Sequence, residues 1–452
     1  MLKGMSVAAT TLGCKVNQAE TDSMLDMLKA DGANIVEFDE KADIYIVNTC
    51  SVTNIADKKS RQMLHRARKM NPDGIVIAAG CYVQSAREIL EQDEAIDIVI
   101  SNNKKKSITE IVNDYINVRN NGKNAPGKDH EAMEYFVDIS RETEYEEMGG
   151  HVPVGHTRAY VKIQDGCNQF CSYCIIPYVR GRIRSRSQEA ILAEVSELAE
   201  AGIKEVVLTG IHISSYGKDK NNEGALIELI EAISKIKGIK RIRLGSLEPG
   251  IITEEFVERI SSNSKVCPHF HLSLQSGCDS VLKRMNRKYT CKQYFEKCDM
   301  LRKAYKSPAL TTDVIVGFPG ETEEEFAETV RYLTELNLYE MHIFKYSPRK
   351  GTVAAAMKEQ VAPEIKNERS DVLLKLAHDN KTAYEAQFEG CELEVLVEEV
   401  VKKDNKTYLR GHTERYMDIL IDVGDISMPE SFVNSFVYVT YTQNGGNLPL
   451  LL

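Results

Sequence analysis

The sequence of 452 residues predicts an α/β protein in three parts: an N-terminal open parallel α/β sheet, a partial (β/α)6 TIM-like barrel and a small C-terminal antiparallel β-barrel. Short apolar runs alternate with helical patterns through the first two parts, which is typical of parallel βαβ units. The last part alternates as short strands without a sustained helical period. At 42% hydrophobic residues, the chain has enough apolar content for two or three domains with their own cores.

The first part, residues 1–116, alternates strands such as "ADIYIVNT" and "GIVIAAG" with helical patterns. One cysteine follows each of its first three strands: Cys14, Cys50 and Cys81, called the distributed triad below. Because open α/β sheets bind ligands beyond the carboxyl ends of their strands, we expect these three thiols to converge on one shared ligand. The alternative is three small buried cysteines that only pack near strand ends.

Residues 117–155 are rich in Asn, Gly and Glu, and we predict a linker there with one short strand at "EYFVDI". Residues 156–387 then repeat a strand and helix unit six times. Six repeats close only part of the eight-stranded barrel, so one side should stay open, with the chemistry at the carboxyl ends of the strands. Residues 388–452 are predicted to form the small β-barrel.

The loop after the first barrel strand, "DGCNQFCSYCIIP", places Cys167, Cys171 and Cys174 at C-x3-C-x2-C spacing, and these three are called the loop triad below. Structural zinc takes four protein ligands, and no fourth Cys or His lies at the spacing of a zinc knuckle. A zinc site would need completion by His151 or His156. A cluster of four irons held by three thiolates instead leaves one iron open to an exogenous molecule.

The cysteine content and the N-terminus indicate the compartment. Eleven cysteines, an odd number without a secretion signal, favour reduced thiols over a disulfide framework. No window approaches the roughly 20 apolar residues of a membrane span. We therefore expect a cytoplasmic protein with no membrane partner.

The net charge of −10 would count against nucleic-acid binding, but the basic residues are clustered. "KKSRQMLHRARK" and "RGRIRSR" are basic, and "TYLRGHTERY" in the last part combines aromatic and basic side chains able to stack on bases and pair with phosphates. The alternative for the first segment is the solvated face of an amphipathic helix. The predicted RNA contacts are Lys58, Lys59, Arg61, Arg182, Arg184, Tyr408, Arg410 and His412.

Seven segments, spanning nearly the whole chain, resemble the radical S-adenosylmethionine methylthiotransferases. They are "TLGCKVNQAETD", "VNTCSVTNIADKKSRQ", "GCYVQ", "YVKIQDGCNQFCSYCIIPYVRG", "LTGIHISSYG", "HLSLQSGCDSVLKRMNRKYT" and "DVIVGFPGETEEEF". The resemblance implies two 4Fe-4S clusters. The catalytic one would be held by the loop triad and bind S-adenosylmethionine at its open iron, and the second would be held by the distributed triad. It also implies that the last part is a TRAM barrel that holds RNA.

Within this family, "LGCKVNQ" and "CSVTNIADKKSRQ" look most like the branch that acts on threonylcarbamoyladenosine at position 37 of tRNA. The implied reaction adds a methylthio group to C2 of the adenine, an unactivated C–H that offers little to acid–base catalysis. One S-adenosylmethionine would supply a radical and another a methyl group to sulfur at the second cluster. An electron donor of the flavodoxin or ferredoxin kind is implied as a partner.

Polar or small residues at the ends of the barrel strands are candidates for contact with S-adenosylmethionine. The segment "VGFPG" resembles the family's segment beside the adenine. The candidates are Thr209, Gly210, Ser246, Glu248, Ser273, Gln275, Asp313, Gly317 and Phe318. Three alternatives remain open at this point: action on isopentenyladenosine of tRNA, action on a ribosomal protein, and a non-catalytic RNA-binding or zinc protein on the same scaffold.

Overall fold

The computed structural model describes residues 2–120, 135–149, 157–404, 406–424, 428–443 and 445–447. It contains a five-stranded parallel sheet, a curled sheet of parallel strands and a closed β-barrel, in that order along the chain. The predicted fold class is confirmed. The strands are β1 Ser6–Thr11, β2 Asn34–Val36, β3 Ile44–Thr49, β4 Ile75–Gly80, β5 Ile98–Ile100, β6 Arg158–Asp165, β7 Arg184–Ser185, β8 Glu205–Gly210, β9 Arg241–Leu244, β10 His269–His271, β11 Ala309–Val316, β12 Glu340–Lys345, β13 Glu392–Lys403, β14 Lys406–Thr413, β15 Asp418–Asp422, β16 Phe436–Thr442 and β17 Gly445–Asn447.

The helices lie mainly between the parallel strands, as βαβ connections require. They are α1 Lys15–Ala30, α2 Asn54–Met70, α3 Cys81–Ser85, α4 Arg87–Glu91, α5 Ile108–Asn120, α6 Ile176–Val179, α7 Gln188–Glu200, α8 Ala225–Ser234, α9 Glu254–Ser261, α10 Asp279–Arg284, α11 Cys291–Ala304, α12 Glu323–Leu336 and α13 Pro363–Ala386. Among the described residues, none of these helices is both long and apolar enough to cross a membrane.

The N-terminal sheet has the order β2-β1-β3-β4-β5, and all of its strands are parallel. Every residue of β3 and β4 is buried, because apolar cores cover both faces of the sheet. The sequence analysis did not predict β2, a three-residue edge strand with two exposed residues and no apolar run of its own. The strands β1, β3 and β4 are neighbours, so the loops that follow them meet at one edge of the sheet.

The curled sheet contains the six predicted parallel strands. It is built from β6-β8-β9 and β10-β11-β12, which isolated parallel bridges join between Ile242 and Val266 and between Leu247 and Leu272. The short strand β7 pairs antiparallel with β6 at one margin. Helix α1 of the first part packs against β6 and β8. The residues that precede α1 are thereby placed beside the incomplete barrel.

The C-terminal strands close into a barrel of the order β13-β14-β15-β17-β16, in which β15 and β17 pair parallel and the others antiparallel. The barrel is docked to β9, because Arg241 and Arg243 donate hydrogen bonds to main-chain carbonyls of Glu394, His412 and Thr413.

The strand predicted at "EYFVDI" is absent from the described residues 135–139. Those residues run over the surface of the first part. Their main chain hydrogen bonds to Ser101, which lies beyond the end of β5, and the segment ends in a short 3-10 turn from Ile139. The prediction is wrong because these backbone groups pair with a loop, and not with a neighbouring strand.

Candidate active site

The loop triad lies directly beyond the carboxyl end of β6. Gly166 begins the loop with φ of +73°, and a Cβ at this position would approach the carbonyl oxygen of Arg182 to 1.8 Å, so only glycine fits. The main-chain N–H of Cys167 donates to the carbonyl of Gly181, and that of Cys174 donates to the carbonyl of Cys171, both at 3.0 Å. Local backbone bonds therefore fold the loop so that its three thiols face inward.

A buried arginine from a distant segment completes this site. Arg287 donates from Nη1 to Sγ of Cys171 at 3.1 Å and from Nη2 to the carboxylate of Glu248 at 2.9 Å. Burial raises the pKa of Cys167 to about 11 and that of Cys174 to about 12, whereas the nearby positive charge of Arg287 lowers both. The guanidinium group thus favours the thiolate form that metal ligation requires.

The structure brings the distributed triad together at the edge of the N-terminal sheet. Cys14 caps α1 after β1, Cys50 follows β3 directly, and Cys81 is the first residue of α3 after β4. Burial raises the pKa of Cys50 to about 11, with smaller contributions from the neighbouring thiols of Cys81 and Cys14. A Cβ added to Gly13 would lie 2.8 Å from Sγ of Cys50, so the turn before Cys14 needs glycine. The ligand role of these cysteines stays a prediction.

Arg180, which comes from the barrel, is the counterpart of Arg287 at this second site. It is fully buried and donates from Nε to Sγ of Cys81 at 3.2 Å. Its other nitrogens donate to Asp165 at 3.1 Å, to Glu20 and to Asn17. A barrel residue therefore reaches across to a cysteine of the first part.

The carboxylates around Arg180 form a buried ionic network with two lysines. Lys162 donates to Glu20 at 2.7 Å and to Asp165 at 2.6 Å, and Lys105 also donates to Glu20. Burial by itself would raise the pKa of Glu20, but the positive charges of Arg180, Lys105 and Lys162 outweigh it and hold that pKa well below its usual value. The network joins α1 and the segment before α5 to the strand that carries the loop triad.

Neither triad has the close spacing of a single zinc ion. Among the described residues, only His271, Asp313 and His342 place three possible ligand atoms within 4.8 Å of one another. A tetrahedral zinc with Zn–S bonds of about 2.3 Å would hold its sulfurs closer than that. Three thiolates can instead hold a 4Fe-4S cluster with one open iron, and this role of the two triads stays a prediction. The histidines considered for a zinc site, His151 and His156, lie outside the described residues.

Several cofactor candidates line cavities of the barrel. Thr209, Gly210, Ser246 and Asp313 line a cavity of about 410 Å³, the lumen cavity, which Cys14 also lines. Asp313 lines a second cavity of about 300 Å³ as well, together with Gln275 and Cys174. Glu248 lines a third, of about 470 Å³. One cysteine of each triad therefore lines a cavity that Asp313 borders, and these cofactor contacts stay predictions.

The remaining cofactor candidates are engaged by the protein itself. The carbonyl of Ser273 accepts a hydrogen bond from Arg287, and the N–H of Gly317, at φ of +68°, donates to Glu321. Phe318 is fully buried and packs against Tyr346. The predicted contact of Phe318 with the cofactor stays a prediction.

The basic segments differ in their exposure. Lys58 and Lys59 are exposed on α2, and Arg182 is exposed, with its guanidinium 4.4 Å from the ring centre of Phe170. Arg61 donates to the hydroxyl of Tyr82. The prediction for Arg184 is wrong. It is buried and donates to a main-chain carbonyl, because its short strand pairs with β6 and turns the side chain inward.

In the C-terminal barrel, the candidate RNA contacts already have protein partners. Tyr408 is half-buried on β14. Arg410 bonds to Asp418 at 2.8 Å, and Nδ1 of His412 lies 2.8 Å from Glu398. RNA would have to compete with these carboxylates for both side chains.

Sequence reasoning missed the two arginines that contact cysteine sulfur. Arg287 lies in the basic segment "KRMNRK", and Arg180 lies in the "RGRIRSR" run. Charge-rich segments usually lie in solvent, so neither could be distinguished from its exposed neighbours. The signal that could have separated them is their place in segments that resemble the family.

Comparison with known proteins agrees with this geometry. Residues 161–333 match the model of the radical SAM superfamily, and residues 6–101 match that of an uncharacterized protein family, UPF0004. The structure is similar to that of the radical S-adenosylmethionine methyltransferase TsrM from Kitasatospora setae, with a TM-score of 0.55, 14% identity and 76% of each chain covered. At this identity the likeness shows the fold alone.

The sequence comparison goes further. The threonylcarbamoyladenosine tRNA methylthiotransferase MtaB of Bacillus subtilis is 39% identical over 416 residues, which is 92% of this chain and 90% of the relative. A tRNA-2-methylthio-N(6)-dimethylallyladenosine synthase of Thermoanaerobacter pseudethanolicus is 35% identical over 96% of this chain and 90% of its own. The chain therefore belongs to the family of radical S-adenosylmethionine tRNA methylthiotransferases.

Proposed function

We propose that this protein adds a methylthio group to C2 of threonylcarbamoyladenosine at position 37 of tRNA. The observation that carries the proposal is that one cysteine of each triad, Cys14 and Cys174, lines one of two cavities that share Asp313. Two centres beside one substrate space suit a reaction that must both activate a C–H bond and deliver a sulfur-containing group. The MtaB relative carries this substrate in its name, and the similarity to it covers 92% of this chain.

The residues divide the work between the two centres. Cys167, Cys171 and Cys174 would hold the cluster that binds S-adenosylmethionine, and Cys14, Cys50 and Cys81 would hold the second cluster. When bound, these groups supply radical chemistry for the C–H bond and the methylthio group itself.

Buried arginines position both centres. Arg287 donates to the sulfur of Cys171, and its bond to Glu248 holds the guanidinium in place. Arg180 donates to the sulfur of Cys81 and joins the first part to the barrel. The protein therefore orients its ligands and compensates their charge, and the chemistry itself belongs to the bound groups.

The partners follow from the reaction. tRNA is the substrate, and the exposed Lys58, Lys59 and Arg182 are the phosphate contacts that the structure supports best. Reduction of the catalytic cluster calls for a one-electron donor, for which a flavodoxin- or ferredoxin-like protein is suited. None of the eleven cysteines forms a disulfide, which agrees with a reducing compartment such as the cytoplasm.

Mass spectrometry of tRNA nucleosides tests the substrate. A strain that lacks this gene should accumulate threonylcarbamoyladenosine and lose its 2-methylthio derivative, and the wild-type gene should restore it. A cysteine variant, C171A, is the matched control and should fail to restore it. Loss of the 2-methylthio derivative of isopentenyladenosine, with threonylcarbamoyladenosine unaffected, would contradict the proposal and favour the sister branch.

A further inference from the structure

The lumen cavity holds a lysine that belongs to neither triad. Lys15 is the first residue of α1, directly after Cys14, and it lines the lumen cavity. It also lines an adjoining cleft of about 620 Å³. Helix α1 packs against β6 and β8, so Lys15 stands where the first part of the chain meets the barrel.

Lys15 differs from the other cations near it in having no acidic partner. Its ammonium lies 5.9 Å from the ring centre of Tyr160 and 5.7 Å from that of Tyr416, and within the described part of the chain it makes no hydrogen bond or salt bridge. The guanidinium of Arg158 lies 3.3 Å from Glu398, and Arg243 bonds to Glu205 at 2.8 Å.

The side chain of Lys15 is exposed to these spaces, and among the described residues it has no counter-ion. An anionic ligand would therefore gain a charge-assisted bond there without displacing an acidic partner. The two tyrosine rings hold the ammonium by cation–π contact without neutralising it. The side chain is therefore placed to receive a negatively charged group that enters the cavity.

The lumen cavity is also lined by acidic residues. Asp313 and Glu340 line it with His271 and His342, and Nε2 of His271 lies 3.4 Å from the carboxylate of Asp313. An anionic group would be repelled by these carboxylates and attracted to Lys15. Lys15 is the one Lys or Arg among the described residues that line this cavity, so an anion has one preferred partner there.

The threonylcarbamoyl group on N6 of the proposed substrate ends in a carboxylate, whereas the dimethylallyl group of the sister substrate is apolar. We propose that Lys15 binds the carboxylate of the N6 substituent and is a specificity-determining residue for the reaction. This inference rests on the proposed function and names the residue that distinguishes threonylcarbamoyladenosine from dimethylallyladenosine. A dimethylallyl group in the same position would displace water from the ammonium without forming a hydrogen bond to it. A site with such an unsatisfied polar group discriminates strongly against the apolar substrate.

Binding measurements separate this role from a structural one. Three anticodon stem-loop RNAs would be titrated with the iron-loaded protein. At position 37 they carry threonylcarbamoyladenosine, its neutral carboxamide analogue, and dimethylallyladenosine, respectively. The wild-type protein should bind the carboxylate form at least about tenfold more tightly than the carboxamide, as expected for one charge-assisted hydrogen bond. K15Q should bring this ratio close to one, and K15R should keep most of it.

The ratio is measured between two RNAs on the same protein preparation, so partial loss of iron in a variant does not affect it. K29Q is the matched control, since Lys29 lies exposed at the other end of α1, and it should behave as the wild type. A wild-type ratio near one, or a K15Q ratio equal to the wild-type ratio, would overturn the inference.

The same titrations distinguish the two levels of the proposal. If the wild-type protein preferred the dimethylallyl RNA, the proposed substrate itself would be wrong. If it preferred the carboxylate RNA and formed the methylthio product, but K15Q kept the preference, only the role of Lys15 would be lost.

Discussion

The two cysteine triads are built in opposite ways and are completed in the same way. The loop triad comes from one short segment after β6, whereas the distributed triad gathers one cysteine from the end of each of three adjacent strands. Each is then contacted by a buried arginine from another segment, Arg287 at 3.1 Å from Cys171 and Arg180 at 3.2 Å from Cys81. Local spacing supplies the ligands of one site and sheet order those of the other, but both obtain their compensating charge from the tertiary fold.

The arginines differ in how much else depends on them. Arg287 pairs with one carboxylate, Glu248, inside the barrel. Arg180 belongs to a network of Glu20, Asp165, Lys105 and Lys162 that joins the first part to the barrel. A change at the loop triad should therefore affect chemistry, whereas a change near the distributed triad should also affect how the two parts hold together.

The largest expected effect is at the loop triad. C171A removes a ligand that no neighbour can replace, so reductive cleavage of S-adenosylmethionine should fall to background. Anaerobic measurement of deoxyadenosine checks this, with C391A, at an exposed cysteine outside both triads, as the control. Normal cleavage by C171A would refute the assignment of the loop triad.

Removal of the distributed triad should have an equally complete but different effect. The variant C14A/C50A/C81A should keep the cluster of the loop triad and still cleave S-adenosylmethionine, but should form no methylthio product. The iron content should fall from about eight to about four atoms per chain if each triad holds a 4Fe-4S cluster. Product formation by this variant, or loss of all of its iron, would show that the two sites are not independent.

The network predicts the next largest effect. R180M would leave Glu20 and Asp165 buried with fewer cations, and breaking such a buried pairing costs about 3–5 kcal/mol of unfolding free energy. Urea denaturation measures the loss, and R182M in the same loop, at an exposed arginine, should change stability by less than about 0.5 kcal/mol. If the R180M protein were as stable as the R182M protein, the ionic network would not contribute to the free energy of unfolding.

The pH dependence of the R180M effect has a definite sign. Despite their burial, Glu20 and Asp165 have pKa values held below their usual values by the surrounding cations, so their contribution to stability is present at neutral pH. It is lost as the pH falls below about 4, where the unfolded chain binds protons. The difference in stability between wild type and R180M should therefore be constant from pH 7 to 5 and shrink below about pH 4.

The smallest expected effect tests the RNA surface. K58Q/K59Q should reduce the slope of log affinity for tRNA against log salt by about two units, because each exposed lysine displaces one condensed counter-ion. Arg61 is left unchanged, because it already bonds to Tyr82. K3Q/K29Q, which removes two exposed lysines at the opposite edge of the first sheet, is the control. If both variants had the same slope of log affinity against log salt, the exposed lysines of α2 would not contact tRNA phosphates.

The sequence by itself determined most of the long elements, the two groups of three cysteines and the sheet edge at which one group meets. Strand and helix periodicity are local properties, and parallel order follows from βαβ connections, so these predictions needed no long-range information. The edge strand β2 has no apolar run of its own, so the sequence did not predict it. The loop triad could be predicted because its three cysteines and the turn that holds them lie within one segment.

Only the tertiary structure decided which charged residues are buried. Arg180, Arg184 and Arg287 stand in basic runs beside the exposed Arg182, and the sequence gives no local sign of which side chains turn inward. Lys15 became distinctive for the same reason, because an unpaired cation can be recognised only when its surroundings are known. Periodicity is fixed by neighbours along the chain, whereas the partner of a charge is chosen among all residues that the fold brings within a few ångströms.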